Sequence, residues 1–534
     1  MKPGQVSRRE WGWVAAWSTV LLLVTTFPYL LGAYLSTSQQ TFGGFVIAVE
    51  DGNAYLAAMR QGAAGALAFY IPYTPEPHVP GYVFSFYLLL GKIARALGLS
   101  LPLVHHLAKL VTTPLLLAAV YRFAAHFTEW LVLRRLSFLL VGLGSGLGWL
   151  WLLAGQPFGP GVMPIDLWVP DAFAFLTVLT FPHLALAQAL ILWIAVSGLR
   201  LLHQPDWRAT LVTGVLGLIL SLIHPYSLEV VLGLLGLYWA LDAWRTRRPD
   251  WTSLAQLAVI GLVSAPYLLY SFMLFSANPV FHSWQLQNRI RSPEPVYYLL
   301  GYGLVGLLAV VGVLRPRLFN RIQDRNFLYI WAALIPVGLY IPSNLQRRFL
   351  DGYQVPLTLL AVGGLVYLLR GVARRWRWGI VSALVAVSLL SNLVLLIGSI
   401  TLVASRSPLV FHEQRVLAAM DWLAAHAPPG SIVLAAYDTG NALPGRALVR
   451  TFVGHGPQSV NADEKQAQVS AFFDAATADR QRLSLLAAYG VDYVFYGPSE
   501  RALGGFSPAD APYLRPVYDN GVVQVYHVSP EVVL

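Results

Sequence analysis

Along most of this chain polar positions do not alternate with apolar ones; they vanish for about twenty residues at a time, then return in short clusters. Uncharged apolar runs of that length match the roughly 30 Å of hydrocarbon that an α-helix must cross in a bilayer. Runs that are uncharged or nearly so predict eleven membrane-spanning helices, at about residues 13–35, 101–121, 136–154, 176–199, 209–225, 226–242, 252–276, 296–314, 327–342, 353–369 and 379–404. A further apolar stretch, residues 81–98, is short and carries Lys92 and Arg95 near its end. It predicts a juxtamembrane helix on the outer surface. From Arg406 the pattern changes. Helical stretches at 413–426, 465–477 and 480–489 interleave with β-type runs at 431–436, 492–496 and 522–527, and Pro428-Pro429-Gly430 stops the first of them. The expected fold class is an α-helical polytopic membrane protein of about 11 transmembrane helices over residues 1–404, with a first outer loop at 36–100 and a soluble α/β domain at 405–534.

Composition agrees. Of 534 residues, 56 % are hydrophobic and 12 % charged, against about 25 % charged in soluble domains. That excludes a soluble enzyme and a disordered scaffold. The absence of cysteine excludes thiol catalysis, Cys-ligated metals and iron–sulfur clusters. The net charge of +10 comes from 32 Arg and 4 Lys set against 26 Asp and Glu, and placement decides its meaning. Lys2, Arg8 and Arg9 precede the first run. Arg122, Arg134 and Arg135, then Arg200 and Arg208, then Arg245, Arg247 and Arg248 follow alternate spans, as do Arg315, Arg317, Arg321 and Arg325 and later Arg370, Arg374, Arg375 and Arg377. All fall on the N-terminal side if eleven spans are counted, which predicts a cytoplasmic N-terminus and an extracytoplasmic C-terminal domain. The charge is topological, and no nucleic-acid partner is expected. The first run is longer than a signal-peptide core and no small-residue cleavage site follows, so it reads as an uncleaved span.

Candidate chemistry concentrates on the outer side. Glu50-Asp51, in the first outer loop, places two carboxylates near the membrane surface, where desolvation makes them costly without adding apolar burial. Such a carboxylate can take the proton of an acceptor hydroxyl; the competing reading is an N-cap at Asp51 or Asn53. Glu76 and His78, two apart in a Pro-stiffened segment, point the same way if extended, and with Asp51 they suit a substrate or a divalent cation. Metal use stays open. Arg347 and Arg348 lie in a short outer loop, on the wrong side for topology. Guanidiniums there fit phosphate, with Arg289 and Arg291 as helpers; the alternatives are headgroup contact or a partner for Asp351. Polar residues at outer span ends complete the set: His105, His106, Asp166, Asp171, His183, and His224 with Glu229 where Pro225 breaks a helix. Of these Asp171 and His224 are taken as substrate-binding candidates. Gly142, Gly144, Gly146 and Gly148 read as close helix packing. No phosphate-binding Gly-x-x-x-x-Gly-Lys loop, His-Glu-x-x-His zinc helix or Gly-x-Ser-x-Gly elbow occurs.

The acidic pair Glu50-Asp51 in the first outer loop, the segment Pro77-His78-Val79-Pro80-Gly81-Tyr82 leading into an apolar helix, the span count and the outer α/β tail together resemble the GT-C superfamily of polytopic membrane glycosyltransferases, among them protein O-mannosyltransferases and aminoarabinose transferases. The resemblance implies an integral enzyme of the bacterial inner membrane. It would move a sugar from a polyprenyl-phosphate donor to an extracytoplasmic glycan, lipid or protein acceptor by inverting displacement. Asp51, with Glu50, would serve as base, and Arg347 or Arg348 would hold the lipid phosphate. No cofactor is implied with certainty; a divalent metal is compatible. The Trp-Trp-Asp-Tyr-Gly signature of oligosaccharyltransferases is absent, which argues against whole-glycan transfer to Asn. A transporter or flippase of a lipid-linked sugar, and a non-catalytic envelope assembly protein, are the rival readings. Polar groups concentrated on one face, without repeated halves, argue against the former.

Overall fold

The computed structural model describes residues 4–315 and 324–529. Lys2, Arg317 and Arg321 of the basic clusters, and residues 530–534 of the expected C-terminal domain, lie outside them. Among the described residues nine helices are long and apolar enough to cross a bilayer: Arg8–Leu35, Leu101–Phe127, Leu131–Leu153, Pro182–His203, Pro225–Thr246, Trp251–Ala277, Pro295–Leu314, Gln354–Gly371 and Arg374–Ala404. The chain is an α-helical polytopic membrane protein. Two more apolar helices, Trp207–Ile223 and Arg325–Gly338, fall where spans were expected but have 17 and 14 residues. At about 1.5 Å per residue they reach only about 26 and 21 Å, less than the hydrocarbon thickness.

Two expected spans are interrupted. The run at 136–154 stops at Leu143 and resumes at Gly148–Leu153. The N–H groups of Gly146 and Gly148, freed by the break, donate to Asp166 Oδ2 at 3.0 and 3.1 Å. Gly146 also lies so near another backbone that an added Cβ would sit 1.9 Å from the Gly301 carbonyl oxygen. The expected glycine packing is present there, within a broken helix. The run at 176–199 is two helices, Ala174–Thr180 and Pro182–His203, because Phe181 before the proline is extended (φ −125°, ψ 132°).

The chain forms two compact units. The first comprises residues 1–28, 106–269 and 290–400. Helix Gln354–Leu368 is buried from Gln354 to Leu365 and packs on Pro295–Leu314 and Leu131–Leu143, as expected of a helix that is apolar all round. Arg134, whose charge looked purely topological, is buried here. Its guanidinium lies 2.9 Å from Glu10, with side chains 1 % and 2 % exposed, and Tyr121 donates to the same carboxylate.

The second unit comprises residues 29–105, 270–289 and 401–534, so the first outer loop clusters with the C-terminal region. Strand β1 (Gln40–Phe42) pairs antiparallel with β2 (Phe411–Glu413). Residues 81–98 form helix Ser85–Leu97, 13 residues long. It crosses helix Val49–Ala63 at two glycines: a Cβ on Gly62 would meet the Leu88 carbonyl oxygen at 2.1 Å, and one on Gly91 that of Met59 at 1.9 Å.

The C-terminal region is built on a mixed five-stranded sheet. Strands β3 (Ile432–Leu434), β4 (Arg450–Thr451), β5 (Tyr493–Tyr496), β6 (Leu514–Asp519) and β7 (Gln524–Val528) take the order β4-β3-β5-β7-β6. The first three are parallel; β7 joins β5, and β6 joins β7, antiparallel. Alternation along the strands divides the core. Ile432, Leu434 and Val494 face a cluster with Val469, Phe472 and Leu486, whereas Val433, Tyr493 and Phe495 face Leu417, Met420 and Leu423. Helices Ala462–Phe473 and Asp479–Tyr489 thus cover one face and Gln414–His426 the other. The expected helices and strands are present, offset by a few residues; β4 and β6 were not anticipated. Arg450–Thr451 is too short to show a period, and β6 carries Pro516, which marks it as an edge.

Candidate functional site

Helix Val49–Ala63 begins at Ala48, a non-glycine residue at φ 50°, without any side-chain cap. Asp51 and Asn53 are therefore not N-caps: the acids sit in the first turn, where the helix dipole favours negative charge, and Asn53 donates to Asn441 Oδ1 at 2.7 Å. The two carboxylates differ in circumstance. Glu50 Oε1 accepts from Tyr437 Oη at 2.7 Å and from the Gly456 N–H at 2.9 Å. Burial, then the bond to Glu50, raises the Tyr437 phenol, which stays protonated and donates. Asp51 is 54 % exposed, and the Nε2 of His455 lies 3.5 Å from its Oδ1. The His455 side chain is 6 % exposed, with Nδ1 3.8 Å from Glu50. Both contacts are longer than good hydrogen bonds; the imidazole stands between the acids as an electrostatic neighbour.

Glu76 and His78 do not join this pair. Glu76 is ion-paired with Lys465 Nζ at 2.7 Å, and Thr74 donates to it as well. The lysine side chain is 2 % exposed. His78 Nε2 accepts from the Ile71 N–H at 3.0 Å, so Nδ1 carries the proton and donates to the Glu76 carbonyl. Burial lowers this imidazole's pKa and the ring stacks on Tyr70. With one ring nitrogen accepting and the other protonated, His78 has no lone pair for a cation. The expected convergence of Asp51, Glu76 and His78 on a metal is therefore corrected. Among the described residues no three His, Cys, Asp or Glu side chains converge to hold an ion.

The arginine loop belongs to the first unit. Arg348 lies 2.8 Å from Asp171, and His224 Nδ1 lies 2.6 Å from Asp351 Oδ2, which also accepts from Ser227 Oγ. The partner of Arg348 is thus Asp171, and that of His224 is Asp351 rather than Glu229. Burial raises Asp171, and Arg348 opposes it only in part. Burial presses on Asp351 too, but His224 and its hydrogen bonds outweigh it and hold this carboxyl below its ordinary value. Arg347 stacks over Trp168 at 4.4 Å and donates through Nε to the Arg291 carbonyl; burial lowers its pKa, with Asp171 opposing. Beside Arg348 opens a cavity of about 370 Å³, lined by Tyr226 and Glu229 and otherwise by apolar residues such as Val230, Leu334, Ile335 and Phe349. Arg291 contributes its backbone only in the contact described, and Arg289 turns to the Leu286 carbonyl at 3.2 Å.

No protein-family model matches the sequence, and no curated protein matches it by sequence. Solved structures do match. Archaeoglobus fulgidus oligosaccharyltransferase AglB, in complex with an inhibitory peptide and a dolichol-phosphate, is similar at TM-score 0.53 and 12 % identity, over 98 % of this chain and 75 % of that one. The mycobacterial arabinofuranosyltransferase AftD gives TM-score 0.53 and 15 % identity over 98 % of this chain and 42 % of its own. ArnT from Cupriavidus metallidurans, bound to undecaprenyl phosphate, gives 0.50 and 13 % over 98 % and 99 %. The fold is the GT-C fold.

Within this GT-C fold three partners of the candidate residues escaped sequence reading, Tyr437, His455 and Lys465, while Asp351, considered for the arginines, pairs with His224 instead. All three come from the C-terminal region, more than 380 residues from the carboxylates they meet. His455 alone had a local signal. It stands in Gly454-His455-Gly456, one polar side chain between two glycines; a Cβ on Gly454 would lie 2.4 Å from the Gly440 carbonyl carbon.

Proposed function

We propose that the chain is a glycosyltransferase that moves a sugar from a polyprenyl-phosphate donor to a hydroxyl-bearing acceptor outside the cytoplasm. The observation that carries this reading is the asymmetry of the acidic pair on a GT-C fold: Glu50 is fixed by Tyr437 and Gly456, while Asp51 is exposed with an imidazole beside it. In the reaction the Asp51 carboxylate takes the acceptor proton. The acceptor oxygen forms its bond to the anomeric carbon as the bond from that carbon to the phosphate oxygen breaks, inverting the centre. The lipid phosphate leaves with the electron pair. Taken by themselves in the first unit, Arg348 and Arg347 offer guanidiniums of the kind that pair with a lipid phosphate, and the apolar cavity beside Arg348 suits an isoprenoid chain. Dolichol-phosphate and undecaprenyl phosphate on the AglB and ArnT structures support this choice of donor.

The test offers the purified full-length protein radiolabelled polyprenyl-phosphate sugars with membrane extract as acceptor. Asp51→Asn is expected to lower the transfer rate by roughly 10²- to 10⁴-fold, the range of a lost general base. Asp463→Asn, at an exposed acid on another helix, is expected to keep it. Equal rates in the two variants would remove Asp51 from the role, and lipid-linked sugar crossing vesicles without transfer would favour the flippase reading.

A further inference from the structure

The second unit holds a cavity of about 520 Å³ that the transfer reaction does not use. Its wall includes the face of helix Val49–Ala63 at Asn53, Leu56 and Arg60, within three turns of the acids, and the C-terminal region at His412, Leu417 and Arg446. Residues 98–100 after helix Ser85–Leu97 and the first residues of helix Leu101–Phe127 close the other side, with Arg95. The volume suits a ligand the size of a small organic molecule.

Its charge is unbalanced. Arg446 is held by Asp421 through two hydrogen bonds of 2.9 and 2.7 Å. Arg60 donates through Nε to the Gly445 carbonyl at 3.4 Å, and among the described residues it forms no ion pair. Burial lowers the Arg60 pKa and the like charge of Arg446 lowers it further, Asp421 opposing. A half-buried guanidinium facing a second one is costly unless an anion completes the site. Arg95 adds a third guanidinium, bound at present to the Ala63 carbonyl. His412 is kept from protonation by burial and by Arg446, so it offers no competing charge. Much of the remaining wall is apolar, chiefly Leu56, Leu99, Leu101, Pro102 and Leu417. Thr41, also on the wall, follows the long apolar helix Arg8–Leu35 by six residues, a reach of about 20 Å at full extension. The cavity is within that reach of a helix long enough to cross the bilayer.

We propose that this cavity binds a phosphate-bearing amphiphile, its phosphate on the guanidiniums of Arg60 and Arg446 and its apolar body against Leu56, Leu417, Leu99 and Pro102. The planar forks match phosphate oxygens bidentately, and a phosphate monoester supplies the negative charge that Asp421 alone does not. The inference does not depend on Asp51 acting as a base.

The experiment is calorimetric titration of the full-length protein, in phosphatidylcholine nanodiscs, with soluble dihexanoyl phosphatidic acid, dihexanoyl phosphatidylcholine and inorganic phosphate. Phosphatidic acid is expected to bind, and to bind at least roughly tenfold more weakly to Arg60→Gln, the loss typical of a charged hydrogen-bond donor. Arg60→Lys, which keeps charge but not the fork, is expected to fall between. Ser100→Trp, which fills the cavity from an exposed position, is expected to abolish binding without changing the thermal midpoint. Inorganic phosphate bound as tightly as the lipid would overturn the amphiphile and leave a free-phosphate site. Undiminished binding to Arg60→Gln, or equal binding of phosphatidylcholine, would overturn the site itself.

Discussion

At Glu50 the carboxylate is held by a phenol and a backbone amide, whereas Asp51 keeps its oxygens toward solvent with an imidazole 3.5 Å away. Adjacent acids in a sequence suggest shared duty; here the helix turns one toward fixed donors and leaves the other open. The sequence marks both residues as chemically unusual, because nothing in folding calls for them. It cannot say which one is free, since both donors to Glu50 come from the far end of the chain. The same limit applies to Glu76. Its spacing from His78 suggested a common ligand, but Lys465 claims it. Glu76→Gln is expected to leave the buried ammonium unpaired and to cost about 2–3 kcal/mol, below the 3–5 kcal/mol of fully buried pairs because Glu76 is 31 % exposed. Lys465 sits below its ordinary pKa of 10.5, burial being the main cause. The folded state thus releases this proton before the unfolded state does, and the cost of the buried charge fades as pH rises through that interval. Thermal melting should show a Glu76→Gln deficit that is largest near neutral pH and shrinks toward pH 10.5.

Among the elements, helix Val49–Ala63 depends most on one neighbour, Ser85–Leu97. Their backbones approach at Gly62 and Gly91 more closely than any side chain permits. Gly91→Ala would drive a methyl into the Met59 carbonyl, and overpacking of this kind costs about 1–3 kcal/mol. The expected result is a lower thermal midpoint, with faster protease cleavage within residues 36–100 than in Gly371→Ala controls, where a Cβ meets open space. Helix identity was readable because apolar runs are long and uncharged. Breaks were less so: the interruption after Leu143 shows as a glycine run, yet the acceptor that stabilises it, Asp166, lies in a separate segment. Residues 81–98 were readable for the opposite reason, since a short amphipathic run ending in Lys92 and Arg95 does not suit a bilayer interior.

For the whole molecule the basic clusters predict a cytoplasmic N-terminus and an extracytoplasmic C-terminal region. A periplasmic phosphatase fused after the last residue is expected to be active, and the same reporter placed at the loop between Thr246 and Trp251 inactive; the reverse pattern would overturn the orientation. Membrane class and the α/β nature of the tail were legible from hydrophobic period alone. The partition was not, because the first outer loop reads as an appendage of the spans it connects. In the structure it clusters with residues 401–534 instead, through contacts that no local pattern records.

Those contacts have a consequence for synthesis. Glu50 and the Gly456 amide that fixes it are 406 residues apart, and β1 waits nearly as long for β2. At about 5–20 residues per second a ribosome needs roughly 20–80 s to cover that distance. Throughout that interval the helix bearing both acids is outside the ribosome without its partners. The acidic pair is thus assembled last although it is made first, and a chain cut short anywhere before the sheet carries the acids but no arrangement that separates their roles.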